Sequence, residues 1–100
     1  MTDAEKRKIR KHIQIICNTM LGNPFVDPPN TEQVEAVAAA VKALGAFRYV
    51  SPLPCEKAMK VLQYHVNEPA ALFFKDRNTI EVLEIGVKAL EYKLNKAAEG

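Results

Sequence analysis

Residues 80–97 read IEVLEIGVKALEYKLNKA, and the spacing of their apolar side chains decides the fold class. Ile80, Leu83, Val87, Leu90, Leu94 and Ala97 recur at intervals of 3, 4, 3, 4 and 3 residues, a heptad seam that a helix places on one side. Off that seam the same stretch carries Val82, Ile85, Ala89 and Tyr92. Its polar residues Glu81, Glu84, Lys88, Glu91 and Asn95 fall within an arc of about 80° when projected at about 100° per residue. A surface helix needs an apolar stripe little wider than about 100°, so this one calls for two apolar partners. Either it is the central helix of the fold, or it is shared with a second copy of the chain. The expectation adopted is sharing, with Val82, Ile85, Ala89 and Tyr92 forming the interface of a homodimer or higher homo-oligomer. Barely three heptads ending in alanine are too few for an isolated coiled coil.

Working outward from this helix, Asn78 with Glu81 has the spacing of a capping box and marks its start. Before it, Pro69 forces a break, and a short helix over Pro69 to Arg77 carries Leu72, Phe73 and Phe74 as a plug over one end of the molecule. The preceding helix runs from Pro54 to Asn67 and buries Cys55, Ala58, Met59, Leu62 and Val66. Ser51-Pro52-Leu53-Pro54 ends the element ahead of it. That element starts at Asn30, boxed by Gln33, and its stripe is Val34, Val37, Val41 and Leu44. Ala36, Ala38, Ala39, Ala40 and Ala43 surround the stripe; alanine favours helix and lets another helix approach closely. Gly45 caps the helix, or the helix runs on through Phe47 to Val50.

The loop Gly22 to Asn30 holds three prolines and cannot be helical. The first helix extends from Thr2, spaced for a box with Glu5, to Leu21, on the stripe Ile9, Ile13, Ile16 and Met20 with Cys17 at its edge. The best strand candidate, Ala46 to Val50, is short and has no pairing partner. The expectation is therefore an all-α, compact bundle of four to five helices, oligomeric, with residues 1–100 forming a single helical domain.

A chain of 100 residues buries a real core without disulfide or metal staples. Its 48% hydrophobic and 26% charged content excludes the disordered and collagen-like classes. The net charge of +2 hides an asymmetry, because Lys6, Arg7, Lys8, Arg10 and Lys11 place five positive charges within six residues. Without those five the rest of the chain stands at −3. Positive charge opposes the dipole in the first turns of a helix, so the cluster is not there for helix stability. It is read as solvated or paired within the chain, or as contacting an acidic protein surface, a nucleic acid or another phosphate-bearing ligand. No aromatic residue interleaves it, and the chain has no helix-turn-helix, zinc-finger or RNP-like motif.

Cys17 and Cys55 lie on apolar stripes and read as reduced packing thiols. His12, Cys17, Cys55 and His65 show no metal-ligand spacing, so no metal and no cofactor is expected. Catalytic signatures such as G-x-S-x-G, a P-loop or H-E-x-x-H are absent, and Glu84 with Lys88 is an ordinary i, i+4 pair. The chain is not expected to be an enzyme. It has no secretory h-region and no apolar run of the roughly 18 to 20 residues that a membrane span needs, so the expected location is cytoplasmic, away from membranes. Phe25 and Val26 with Phe47 and Tyr49 form a candidate aromatic patch for a partner, against the plainer role of Phe25 as an anchor for its own loop. The resulting expectation is a regulatory interaction protein, an adaptor, inhibitor or sequestering module, that occludes a partner surface as a homo-oligomer. The alternative is a nucleic-acid or phosphate-ligand binder that uses the basic first helix.

Overall fold

A helix starts where a side chain takes up the first backbone N–H groups, which no helical carbonyl can reach. The computed structural model describes residues 1–22, 28–48, 53–74 and 76–99. In α1, Asp3–Leu21, Thr2 Oγ1 accepts the Glu5 N–H at 3.2 Å. In α2, Thr31–Leu44, the full box forms: Asn30 Oδ1 accepts the Gln33 N–H at 2.9 Å and Gln33 Oε1 accepts the Asn30 N–H at 2.8 Å. Its end tightens into i→i+3 bonds, with Gly45 in right-handed helical geometry and the Phe47 N–H reaching the Leu44 carbonyl at 3.2 Å. Helix α3, Cys55–Asn67, starts on Pro54 with no side-chain cap.

Two elements differ from expectation. The plug is a 3₁₀ turn over Pro69–Phe73 rather than a helix reaching Arg77; Leu72 is buried, whereas Phe74 is 70% exposed. Helix α4, Arg77–Glu99, starts one residue before Asn78 because the carboxylate of Asp76 takes the cap. Asp76 Oδ1 accepts the Thr79 N–H at 2.6 Å and its carbonyl accepts the Ile80 N–H at 3.1 Å. An ionised acceptor makes the shorter, stronger bond, and it outcompetes the neutral amide of Asn78.

The four helices alternate in direction. Lys8 pairs with Glu35 and Thr19 with Gln33, which runs α2 antiparallel to α1. The Sγ of Cys55 meets the Phe47 carbonyl, and Leu62 packs beside Gly86 opposite Ala40, which runs α3 antiparallel to α2. Helices α2 and α4 therefore run parallel, and they form the central pair. Each touches both α1 and α3, while α1 and α3 barely meet. The molecule measures 42 × 30 × 21 Å, a flattened bundle with its short diagonal between α2 and α4. Small residues make that diagonal short: Ala36, Ala40 and Ala43 are buried on α2, and Gly86 faces Ala40 from α4.

This arrangement explains why α4 is apolar on two sides. Val82, Ile85 and Ala89 are 0%, 2% and 0% exposed within the chain's own core. The interface expectation for these three is corrected: the second apolar partner of the helix is another helix of the same chain. Tyr92, the fourth residue of that set, stays 37% exposed.

Candidate partner-binding groove

Alternating helix direction gathers charges that are scattered in sequence. The start of α1, the end of α2, the start of α3 and the end of α4 meet at one end of the bundle. Lys6, Arg7, Lys8, Arg10 and Lys11 are joined there by Lys42, Arg48, Lys57, Lys60, Lys93 and Lys96. Asp3, Glu5, Glu56 and Glu91 share that end, Glu35 and Glu32 lie against Lys8 and Lys11, and Glu68, Asp76, Glu81 and Glu84 fall toward the other end with Arg77. The net charge of +2 is thus unevenly spread, with an excess of basic side chains at the end where α1 starts.

The basic cluster of α1 divides. Lys8 Nζ lies 3.9 Å from Glu35 and Lys11 Nζ lies 3.5 Å from Glu32, both pairs well exposed. With Arg7, His12 and Ile15 these side chains line a cleft of about 320 Å³ between α1 and α2. Part of the cluster is therefore neutralised from within the chain.

Around the helix the character changes. A cleft of about 210 Å³ is bounded by Met1, Glu5, Lys8, Ile9 and His12 of α1 and its lead-in, Ala39 and Lys42 of α2, and Leu90 and Lys93 of α4. A further cleft of about 250 Å³ continues along α2 and α4 over Ala43, Ala46, Tyr92, Lys93, Lys96 and Ala97. The two share Lys93 and make one groove, with an apolar floor of leucine and alanines and lysines on both walls. Lys42 and Lys93 have no ion-pair partner among the described residues. At the far end Tyr92 packs on Phe47, ring centres 5.2 Å apart and planes at 59°, and Lys96 Nζ sits 5.4 Å from the Tyr92 ring centre and 3.2 Å from its hydroxyl. Tyr92 from the expected interface and Phe47 from the expected aromatic patch are thus brought together. Phe25, Val26 and Tyr49 of that patch lie outside the described residues.

Sequence spacing missed two polar residues of the α1 core. The buried line is Ile9, His12, Ile16 and Thr19, whereas the expected stripe used Ile13 and Met20, which are half-buried. The intervals 3, 4, 3 of the true line carry the signal, but a stripe drawn from apolar residues alone passes over histidine and threonine. Thr19 is satisfied: its hydroxyl donates to the Ile15 carbonyl at 2.8 Å and accepts from Gln33 Nε2 at 3.2 Å. His12 lines both clefts beside α1, and burial, reinforced by the Lys8 and Lys11 cations against the pull of Glu35, holds its pKa below the ordinary value. His65, buried at the end of α3, is lowered by burial against the pull of Asp76, and its Nδ1 has no hydrogen-bond partner among the described residues.

Cys17 and Cys55 form no disulfide with each other and lie at opposite ends of the bundle. Among the described residues, no group of three His, Cys, Asp or Glu side chains is placed to hold a metal ion, and no helix is long and apolar enough to cross a membrane. No family model, curated protein or solved structure matches the chain. The groove can hold an anionic group against Lys42 and Lys93 while an adjoining apolar surface is removed from water.

Proposed function

We propose that this chain is a small non-catalytic binding module that holds an acidic partner protein at its basic end. The observation that carries the reading is the position of Lys42 and Lys93 on opposite walls of an apolar groove without carboxylate partners among the described residues. Like charges held close over an apolar floor raise the energy of the free protein, and an anion with an apolar face relieves both terms at once. A module seated there covers the partner surface that it contacts, the basis on which we read an adaptor, inhibitor or sequestering role. The reading needs no second copy: Val82, Ile85 and Ala89 are buried within the chain's own core.

A nucleic acid fits this end less well. Phosphate recognition calls for cations free to track a backbone, whereas Lys8 and Lys11 already hold Glu35 and Glu32. The groove floor is apolar, and the Phe47 and Tyr92 rings are packed on each other rather than spread as stacking platforms. The test is fluorescence anisotropy with labelled poly-L-glutamate and a labelled DNA duplex of matched charge. Poly-L-glutamate is expected to bind the wild-type chain and to lose binding to the Lys42→Glu/Lys93→Glu variant. Duplex binding that is tighter and survives the double substitution would overturn the proposal.

A further inference from the structure

The trench between α2 and α4 does not stop where α1 stops. Ile9 and Ile16 of α1 belong to the core shared with these two helices, and beyond Met1 the trench continues over Ala43, Ala46 and Ala97. A trench between parallel helices with an alanine floor accepts a third helix, because small side chains let a backbone come close. Over its first part α1 is that third helix.

We infer that the open part of the groove takes a short acidic amphipathic helix of a partner protein, running on from the N-terminus of α1. This rests on the reading of the groove as the binding site for an acidic partner. Beyond α1 the open walls are Ala43 to Ala46 and Tyr92 to Ala97, with Lys42 at the edge beside the first turn of α1, about 7 Å of helix axis or one and a half turns. That footprint takes two apolar side chains at i and i+3 or i+4 over Ala46 and Ala97. Acidic residues flanking them meet Lys42 on one wall and Lys93 and Lys96 on the other. Charge selects the partner: four lysines, Lys8, Lys42, Lys93 and Lys96, line the two clefts against Glu5 alone among the acidic residues lining them. Tyr92, held by Phe47 and Lys96, closes the end and offers a rigid aromatic anchor.

The test pans a random 16-residue peptide library on the full chain and counter-selects on Lys42→Glu/Lys93→Glu, whose substitutions fall on exposed side chains and whose helix content is checked by circular dichroism. Enriched peptides are expected to carry Asp or Glu at helical spacing around two apolar positions. The synthetic peptide gains helix on binding and loses at least about tenfold in affinity for the double variant. Acidic peptides that bind without helical spacing and without becoming helical overturn the helix and leave the acidic-partner reading standing. No enrichment of acidic peptides over the variant overturns both. Self-association of the wild-type chain by light scattering that disappears in the variant makes a second copy the occupant and overturns the inference. Tighter binding of a labelled DNA or RNA oligonucleotide than of any selected peptide overturns it as well.

Discussion

Gly86 on α4 stands so close to Ala40 on α2 that a Cβ added to it would lie 2.9 Å from the Ala40 Cβ and 3.5 Å from Leu62 Cδ1. Here the parallel central pair touches, and the distance sets the short diagonal of the bundle. Glycine within a helix costs about 1 kcal/mol relative to alanine, so Gly86→Ala gains that much locally while the overpacking it causes costs about 1 to 3 kcal/mol. The expected net result is destabilisation by about 1 kcal/mol in urea unfolding. Ala40→Gly in the same chain should restore part of the loss, so that the double substitution is more stable than the sum of the singles. A Gly86→Ala variant more stable than the wild type would mean that α2 and α4 stand further apart in solution.

Asp76 governs the start of α4. Its carboxyl is held below the usual carboxylate range first by the Thr79 N–H, then by the Thr79 hydroxyl. A lowered carboxyl contributes stability that is complete above its unfolded value and is lost as pH falls through the folded one. Asp76→Ala is expected to lower the urea midpoint at neutral pH. Asp76→Asn retains a cap but flattens the acid limb of the stability profile below about pH 4. An unchanged acid limb in the asparagine variant would show that the carboxylate does not cap α4.

These two sites mark where the sequence was legible and where it was not. Helix existence and the boxed start of α2 followed from spacing and capping chemistry, because both are local. Asp76 and Asn78 are both good caps two residues apart, and only the hydrogen bonds decide between them. The double apolar face of α4 demands two partners, but its periodicity says nothing about whether the second partner lies in the same chain. That depended on α1 and α3 lying on opposite sides of a central pair, which is a matter of topology. The groove was hidden for the same reason: Lys42, Lys93 and Lys96 are unremarkable one by one in the sequence, and alternating helix direction brings them beside the basic start of α1.

The two histidines give the fold a mild sensitivity to acid. Both are buried and lowered, His12 by burial and the neighbouring Lys8 cation, His65 by burial against Asp76. A histidine held neutral in the fold protonates first in the unfolded chain, so stability falls as pH drops below the ordinary value near 6.5 and levels off only below the folded value. His65→Phe is expected to weaken that decline by removing both the titration and the unpartnered Nδ1, and adding His12→Gln should remove most of the remainder. Urea midpoints at pH 7 and pH 5.5 measure it. A wild-type midpoint that rises on acidification over this interval would contradict the burial of both rings.

The lysines separate binding from folding. Lys8–Glu35 and Lys11–Glu32 are exposed pairs, each worth at most about 1 kcal/mol, so Lys8→Gln or Lys11→Gln should lower stability by no more than a few tenths of a kcal/mol. Lys93 lies beside Lys42 and Lys8 with only Glu5 as counterweight in that cleft. Its charge opposes folding, and Lys93→Gln is expected to leave stability unchanged or to raise it slightly. Raising NaCl from 0.05 to 0.5 M shortens the screening length from roughly 14 to 4 Å. The same change should weaken binding of an acidic peptide while leaving the wild-type fold as stable or more so. A Lys93→Gln variant that loses more than about 1 kcal/mol would place this lysine among the groups that hold the bundle together, and the groove would then lose the cation on which its preference for an acidic partner depends.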